Sequence, residues 1–325
     1  MSTGGPAEAA RGDRARGTHT GRQLGTLAGL LTLCVILWAA TPHFLTVSNL
    51  LNVLEQTALN AVVAVGMTFV IISGGIDLSV GSVLAFAGIG LALALESGMT
   101  PPAAVAVALA MGALCGLING LLITLGRLPP FIATLGMMSV ARGAALMLAE
   151  GRPISGFSEG FRALATERVV AIPAPVIITI VIYAVAHFVL TRTVFGRTTY
   201  AIGGNEEAAR LSGVRVRVHK TAVYGVAGLT SAAAAVVLTA RLNSAQPTAG
   251  IMYELDAIAA TVIGGSSLLV GEGSLTGTLI GALIMGVLRN GLNLLNVSSF
   301  LQQVVIGMVI IGAVLVDMSL KRRRT

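Results

Sequence analysis

The chain has 325 residues, of which 55% are hydrophobic and only 11% charged, with a mean hydropathy of +0.87. Soluble domains carry roughly 25% charged residues, so this composition excludes a soluble globular protein and predicts an all-α integral membrane protein of spanning helices. The formal charge of +7 does not point to nucleic acid, because its carriers sit mostly in loops between apolar runs, as in proteins oriented by the membrane.

Residues 1–23, rich in Gly, Ala and Thr and carrying Arg11, Arg14, Arg16 and Arg22, read as a disordered basic tail. A signal peptide would also place charge before an apolar run. Leu24 to Ala40 is long for one, and no small-residue cleavage site follows cleanly, so it reads as a retained first helix. About ten apolar segments are expected to be helices: 24–40, 50–73, 79–95, 102–124, 130–149, 172–190, 221–241, 255–270, 275–292 and 300–316. They give one membrane domain over 24–316, followed by a basic tail, 317–325. The eighth segment is short and is expected to be broken or partly re-entrant, which is tolerated only where protein or a polar cavity surrounds it. Cys34 and Cys115 fall inside apolar runs and read as small buried side chains rather than a disulfide or a metal site.

Threading ten helices from a cytoplasmic amino terminus puts fifteen of the 21 Lys and Arg in the cytoplasm. These are the tail arginines, Arg127, six residues of the 192–220 segment, and Lys321 to Arg324. The outer side takes Arg152, Arg162 and Arg168, offset by Glu150, Glu159 and Glu167, with Arg241 at a helix edge. The asymmetry makes both termini cytoplasmic. The 192–220 segment falls on the same side. It is a polar interruption in which Gly196, Gly203, Gly204 and Gly213 punctuate a short helical core, Glu206 to Leu211, and it reads as a docking surface.

The motif G-G-x-x-L-x-V-G occurs at Gly74–Gly81 and again at Gly264–Gly271. Six helices separate the copies, so a true duplication would be a parallel internal repeat; chance in a chain with 40 glycines is the other reading. No catalytic set is present. His19, His43, His187 and His219 are scattered, without spacing for a metal or a general base, and no Ser-centred elbow or G-x-x-x-x-G-K-[ST] loop occurs. No cofactor is expected in this chain, and any ATP would be bound by another subunit.

Two glycine sets fall four residues apart: Gly112, Gly116, Gly120 and Gly273, Gly277, Gly281. Such stripes let helix backbones approach closely in lipid, either inside one subunit or at a homodimer seam. Asn52, Gln56 and Asn60 form a polar stripe on the second helix. Asn119, Arg142, Asp256, Arg289, Asn290 and Asn293 also lie in or near apolar segments. Amides donate and accept, which suits a neutral, hydroxyl-rich solute such as a sugar, whereas an ion path would more often show several buried carboxylates. The bland reading is that these groups satisfy one another. Arg142 and Arg289 each call for a carboxylate, with Asp77, Asp256 and Glu254 available but unpaired by the sequence. Asp77, in the first glycine turn, either caps the third helix or serves in gating or substrate contact.

Three blocks carry a family resemblance. Gly66 to Ser82 resembles a signature of the membrane permease subunits of bacterial ribose-type (ribose, xylose, arabinose or galactoside) ABC importers, of the binding-protein-dependent transport system family. Gly203 to Val214 resembles the cytoplasmic loop of those subunits, and Asp256 to Gly265 is similar to a third block. The resemblance runs from Asn49 to the carboxyl end and implies a bacterial inner-membrane homodimer within the lipid bilayer. It further implies a cytoplasmic double-cassette ATPase, which binds ATP and magnesium, and an extracytoplasmic sugar-binding protein. Carried onto this chain, Gly203, Gly204, Asn205, Glu206, Glu207, Arg210 and Gly213 would couple to the ATPase. The path candidates are Asn52, Gln56, Asn60, Asp77, Asn119, Asp256, Asn290 and Asn293. The expected function is import of a monosaccharide. The alternatives are a related permease for branched-chain amino acids or nucleosides, an ion-coupled secondary transporter, or a membrane scaffold.

Overall fold

The computed structural model describes residues 24–169, 171–267 and 271–322. The tail 1–23, Leu268 to Val270 of the second glycine motif, and 323–325 lie outside the described residues. The helices in order are α1 (Leu24–Ala40), α2 (Val47–Ile72), α3 (Val80–Glu96), α4 (Pro101–Thr124), α5 (Pro130–Leu148), α6 (Glu159–Thr166) and α7 (Ala174–Arg192). Then come α8 (Val194–Gly204), α9 (Glu206–Leu211), α10 (Val216–Leu242), α11 (Tyr253–Ile263), α12 (Leu275–Leu294) and α13 (Ser299–Arg322). The protein is an all-α membrane protein. Each of the ten apolar segments holds a helix, and among the described residues six of these (α2, α4, α5, α7, α10 and α12) are long and apolar enough to cross a membrane.

Local chemistry sets several boundaries. Thr46 accepts the Asn49 N–H and caps α2. Prolines in the first turns of α4, α5 and α7 occupy positions where an N–H would have no helical partner. Asn243, in the left-handed region at φ 50°, ends α10. Among the described residues, extended strands are confined to two-residue pairs: β1 (Ile154–Ser155) with β4 (Ser244–Ala245), and β2 (Arg168–Val169) with β3 (Ile172–Pro173), both antiparallel.

Helices α2 and α10 form the centre of the bundle. Small residues permit this: a Cβ on Gly66 of α2 would lie 2.6 Å from Ala227 Cα of α10. The opposite face of α10 lies on α4, where Gly112, Gly116 and Gly120 meet the backbone of Gly228, Tyr224 and Thr221. Outward, α4, α5 and α7 present Leu114, Leu121, Met147, Val140, Ile180 and Phe188, the apolar surface expected against lipid tails. The loop between α5 and α7 carries α6, which buries Phe161 and Ala165 and stacks Phe161 edge-on against Phe157.

Four sequence boundaries are corrected. The eighth segment, expected over 255–270, is the eleven-residue α11, which ends at Ile263 with Gly264 as its C-cap. Gly273 precedes α12 instead of sharing its face with Gly277 and Gly281, because Ser274 caps the helix by accepting the Gly277 N–H. Helix α10 begins at Val216, five residues into the supposed loop, and α8 occupies Val194–Gly204, where glycines at 196, 203 and 204 hide the helical pattern.

The glycine motifs mark a shared device in a shifted register. Helix α2 closes with Gly74 N–H bonded to Ile71 O and Gly75 N–H to Val70 O; α11 closes with Gly265 to Val262 and Ser266 to Thr261. Both are Schellman closures with a positive-φ glycine, Gly74 at 79° and Gly265 at 91°. Structure thus equates Gly74 with Gly265, whereas the sequence match equates it with Gly264. Farther on, Gly81 lies inside α3 and Gly271 in the loop before α12.

Candidate functional site

The chain from Asn243 to Met252 turns back alongside α3 and places the start of α11 deep in the bundle. Gln246 and Ala249 line a crevice with Leu84, Ala85 and Gly88 of α3. Gly250, at φ +71°, abuts Gly81 so closely that a Cβ on either would strike the other's carbonyl oxygen. Arg142 of α5 fastens this segment by donating to Pro247 O at 2.6 Å, Ala249 O at 2.7 Å and Gly81 O at 3.5 Å. The hydrogen bonds of Arg142 therefore go to carbonyls, while Glu254, one of the carboxylates expected from sequence, acts on it through charge alone. An extended segment has unpaired carbonyls, and a guanidinium satisfies several at once.

Helix α11 is about 16 Å long at 1.5 Å per residue, half the roughly 30 Å of a bilayer core. Its first turn brings Asp256 to Arg289 of α12. Arg289 Nη2 donates to Asp256 Oδ1 at 3.0 Å and Oδ2 at 2.7 Å, and Asn60 Nδ2 of α2 donates to the same Oδ2 at 3.3 Å. The Asp256 side chain is 3% exposed and that of Arg289 37%. Asn60 lies midway along α2, about 20 Å from either end at 1.5 Å per residue. The pairing that the sequence left open thus joins three helices at mid-depth. Gln56, one turn before Asn60, is half-buried, while Asn52 is exposed.

The other path candidates separate from this cluster. Asp77 and Asn119 meet in a second buried group. Asp77 Oδ1 accepts from Ser79 N at 2.8 Å and Ser79 Oγ at 2.6 Å, and Asn119 Nδ2 donates to Ser79 Oγ at 2.9 Å. Asp77 is not the cap of α3: the N-cap position is Ser79, because the Asp77 carboxylate closes a turn two residues long before the helix starts. Asn290 exchanges paired amide bonds with Asn49 at 3.0 and 2.8 Å, clamping α12 to α2. Asn293 is exposed and accepts from Gln302 at 2.8 Å. Sequence reading missed Asn49 and Gln302, whose only signal was an amide in an apolar run.

The 192–220 segment folds against the helix-closing turns. Asn205 Oδ1 accepts the Ala208 N–H at 2.9 Å and starts α9; Gly213, at φ +84°, follows its end. Gly203 is wedged between Ile72 O and Gly271, whereas Gly204 faces open space. Tyr200 Oη donates to Gly273 O at 2.7 Å, and burial pushes its phenol up to about 12. Glu206 holds Lys220 at 2.9 Å, and Glu207 holds Arg210 at 2.6 Å. Glu207 and Arg210 stay exposed, beside Leu211 at 79% exposure. Gly277 and Gly281 of α12 meet Gly264 O and Ala260 O of the α11 end, and Gly273, before α12, meets Ser266. Cys115 is buried and Cys34 half-buried, both as free thiols. Among the described residues no group of His, Cys, Asp and Glu could hold a metal.

Residues 49–314 match the family described as branched-chain amino acid transport system / permease component. The chain belongs to this permease family. Among its relatives, a ribose import permease protein of Bacillus subtilis is 51% identical over 91% of this chain and 92% of that protein. The ribose import permease protein of Escherichia coli K12 is 48% identical over 90% and 92%. The L-arabinose transport system permease protein of the same strain is 39% identical over 89% of each chain. No solved structure matches this permease. It is a transport-system component and not an enzyme.

Proposed function

We propose that this permease carries a monosaccharide, ribose foremost, across the bacterial inner membrane as the membrane subunit of an ATP-driven importer. The observation that carries the reading is the Asp256–Arg289 pair among the amides of α2: its charges cancel at mid-depth, leaving hydrogen-bonding groups suited to a neutral polyol. The names of the relatives favour the same solute class over branched-chain amino acids, despite the broader family description. An ion-coupled mechanism fits less well, because Asp256 is committed to Arg289 and Asp77 to Ser79.

The finer arrangement follows from charge and exposure. Ten crossings with both termini cytoplasmic put most basic residues on the cytoplasmic side; the Schellman turns of α2 and α11 do not argue for a parallel repeat, because α3, α5, α9 and α12 end in the same closure. The exposed Asn52, flanked by exposed Leu50 and Leu54, would be costly against lipid; a second copy of the chain covers that face and makes the homodimer. A cytoplasmic ATPase supplying ATP and magnesium docks on α9 through Glu207, Arg210 and Leu211, and an extracytoplasmic binding protein delivers the sugar. Glu207→Lys tests the docking: membrane insertion is retained, ribose uptake driven by ATP is lost, and co-purification of the ATPase falls. Normal uptake by this variant, or uptake that persists after ATP depletion, overturns the reading.

A further inference from the structure

The cluster at the start of α11 has polar capacity that the protein itself does not use. Thr57 is 3% exposed, and its hydroxyl, with Asn60 Oδ1 one turn on, has no hydrogen-bond partner. Buried polar atoms are normally satisfied, and an exception calls for an explanation. Thr57 turns its hydroxyl onto the bare backbone of Gly286, where any side chain would collide with it. Arg289 lies three residues beyond Gly286 on the same face of α12. It donates to Asp256 through Nη2 alone, which leaves Nε and Nη1 for another acceptor, and over a third of its side chain is open. Gln56 shares the α2 face of Asn60, one turn away, and is half-buried.

We infer that Thr57, Asn60 and Arg289, with Gln56 at the rim, form a solute-binding site within the membrane for the hydroxyl groups of a monosaccharide. This rests on the sugar-permease reading above and adds to it that the permease itself recognises the solute. A sugar hydroxyl donates to Asn60 Oδ1 or Thr57 Oγ1 while its oxygen accepts from Arg289, and a charged donor makes the stronger bond. Asp256 cancels the charge of Arg289 and fixes its plane. Both oxygens of Asp256 are engaged by Arg289, and one also by Asn60, so this carboxylate is not free to hold an ammonium group. A neutral polyol needs no carboxylate at the cluster, and the leucine arm of the test below decides whether an amino acid is held there as well.

Thiol protection tests the site in the full chain in lipid nanodiscs, with Cys34 and Cys115 replaced by Ser. Gln56→Cys is exposed to a small hydrophilic thiol reagent, with and without millimolar D-ribose or L-leucine; should it fail to fold, a ribose-induced rise in the melting temperature of the otherwise unaltered chain, lost in Arg289→Lys, serves as the second readout. The expected result is labelling slowed several-fold by ribose and not by leucine, with the protection lost on adding Arg289→Lys. Absence of labelling in folded protein, labelling that ribose leaves unchanged, or equal protection by leucine each overturns the site. Ribose uptake by cells carrying the unaltered chain distinguishes this failure from failure of the sugar reading: uptake without protection refutes the site alone.

Discussion

The Asp256–Arg289 pair makes an asymmetric prediction. Removing one partner of a buried ion pair costs about 3–5 kcal/mol, because the other charge is stranded. The two ends are unequally buried, at 3% and 37% side-chain exposure. Arg289→Gln leaves the buried carboxylate with only the 3.3 Å bond from Asn60, so its cost falls near that range, at about 3 kcal/mol or more. Asp256→Asn leaves a guanidinium with an open flank, and screening of a partly exposed charge lowers its cost to about 1–2 kcal/mol. The double variant, Asp256→Asn with Arg289→Gln, strands no charge and is expected within about 1 kcal/mol of the parent, since replacing a whole buried pair is often neutral. Denaturant titration of the three variants in mixed micelles, with parallel uptake measurements, reads both consequences. Stability returns in the double variant, while uptake stays low because the Arg289 donors are gone. Equal costs for the two single variants, or a double variant as unstable as their sum, would refute the burial argument.

Three further outcomes are expected. A cysteine at Ser212, introduced as Ser212→Cys, reacts with an impermeant reagent in inside-out vesicles and not in intact cells; labelling of intact cells inverts the topology. Gly120→Ala places a methyl group 2.5 Å from Thr221 Cα, about 1 Å inside ordinary contact. It is expected to cost about 1–3 kcal/mol by overpacking, whereas Gly143→Ala, with nothing within 4 Å of its Cβ position, leaves the melting temperature unchanged or raised. The phenol of Tyr200, held up to about 12 by burial, keeps its proton longer in the folded than in the unfolded chain. Its share of stability is complete below about pH 10 and declines as pH rises from there toward 12; Tyr200→Phe removes that share of the alkaline decline in a melting-temperature series.

Much of the fold was legible because lipid imposes a simple rule. A long apolar run must satisfy its own backbone, so hydropathy along the chain located a helix in each of the ten segments, and the glycines around Glu206 to Leu211 marked off the short α9. The glycine spacing of 112, 116 and 120 likewise foretold a close backbone contact, though not that α10 would supply it. Where sequence reasoning stopped, the cause was distance along the chain. Asp256 meets Asn60 across 196 positions, and neither hydropathy nor periodicity distinguishes Asp256 from Asp77 or Glu254 as the partner of Arg289. Hydropathy also carried the eighth segment past Gly264, since Val262 to Val270 is mostly apolar. The composition determined that this is a helical membrane protein, with one long polar interruption between its apolar runs. Only the tertiary structure decided that α11 starts at mid-depth, because that follows from Gly81 and Gly250 touching and from Arg142 binding three carbonyls, and such contacts depend on how helices cross rather than on which residues they contain.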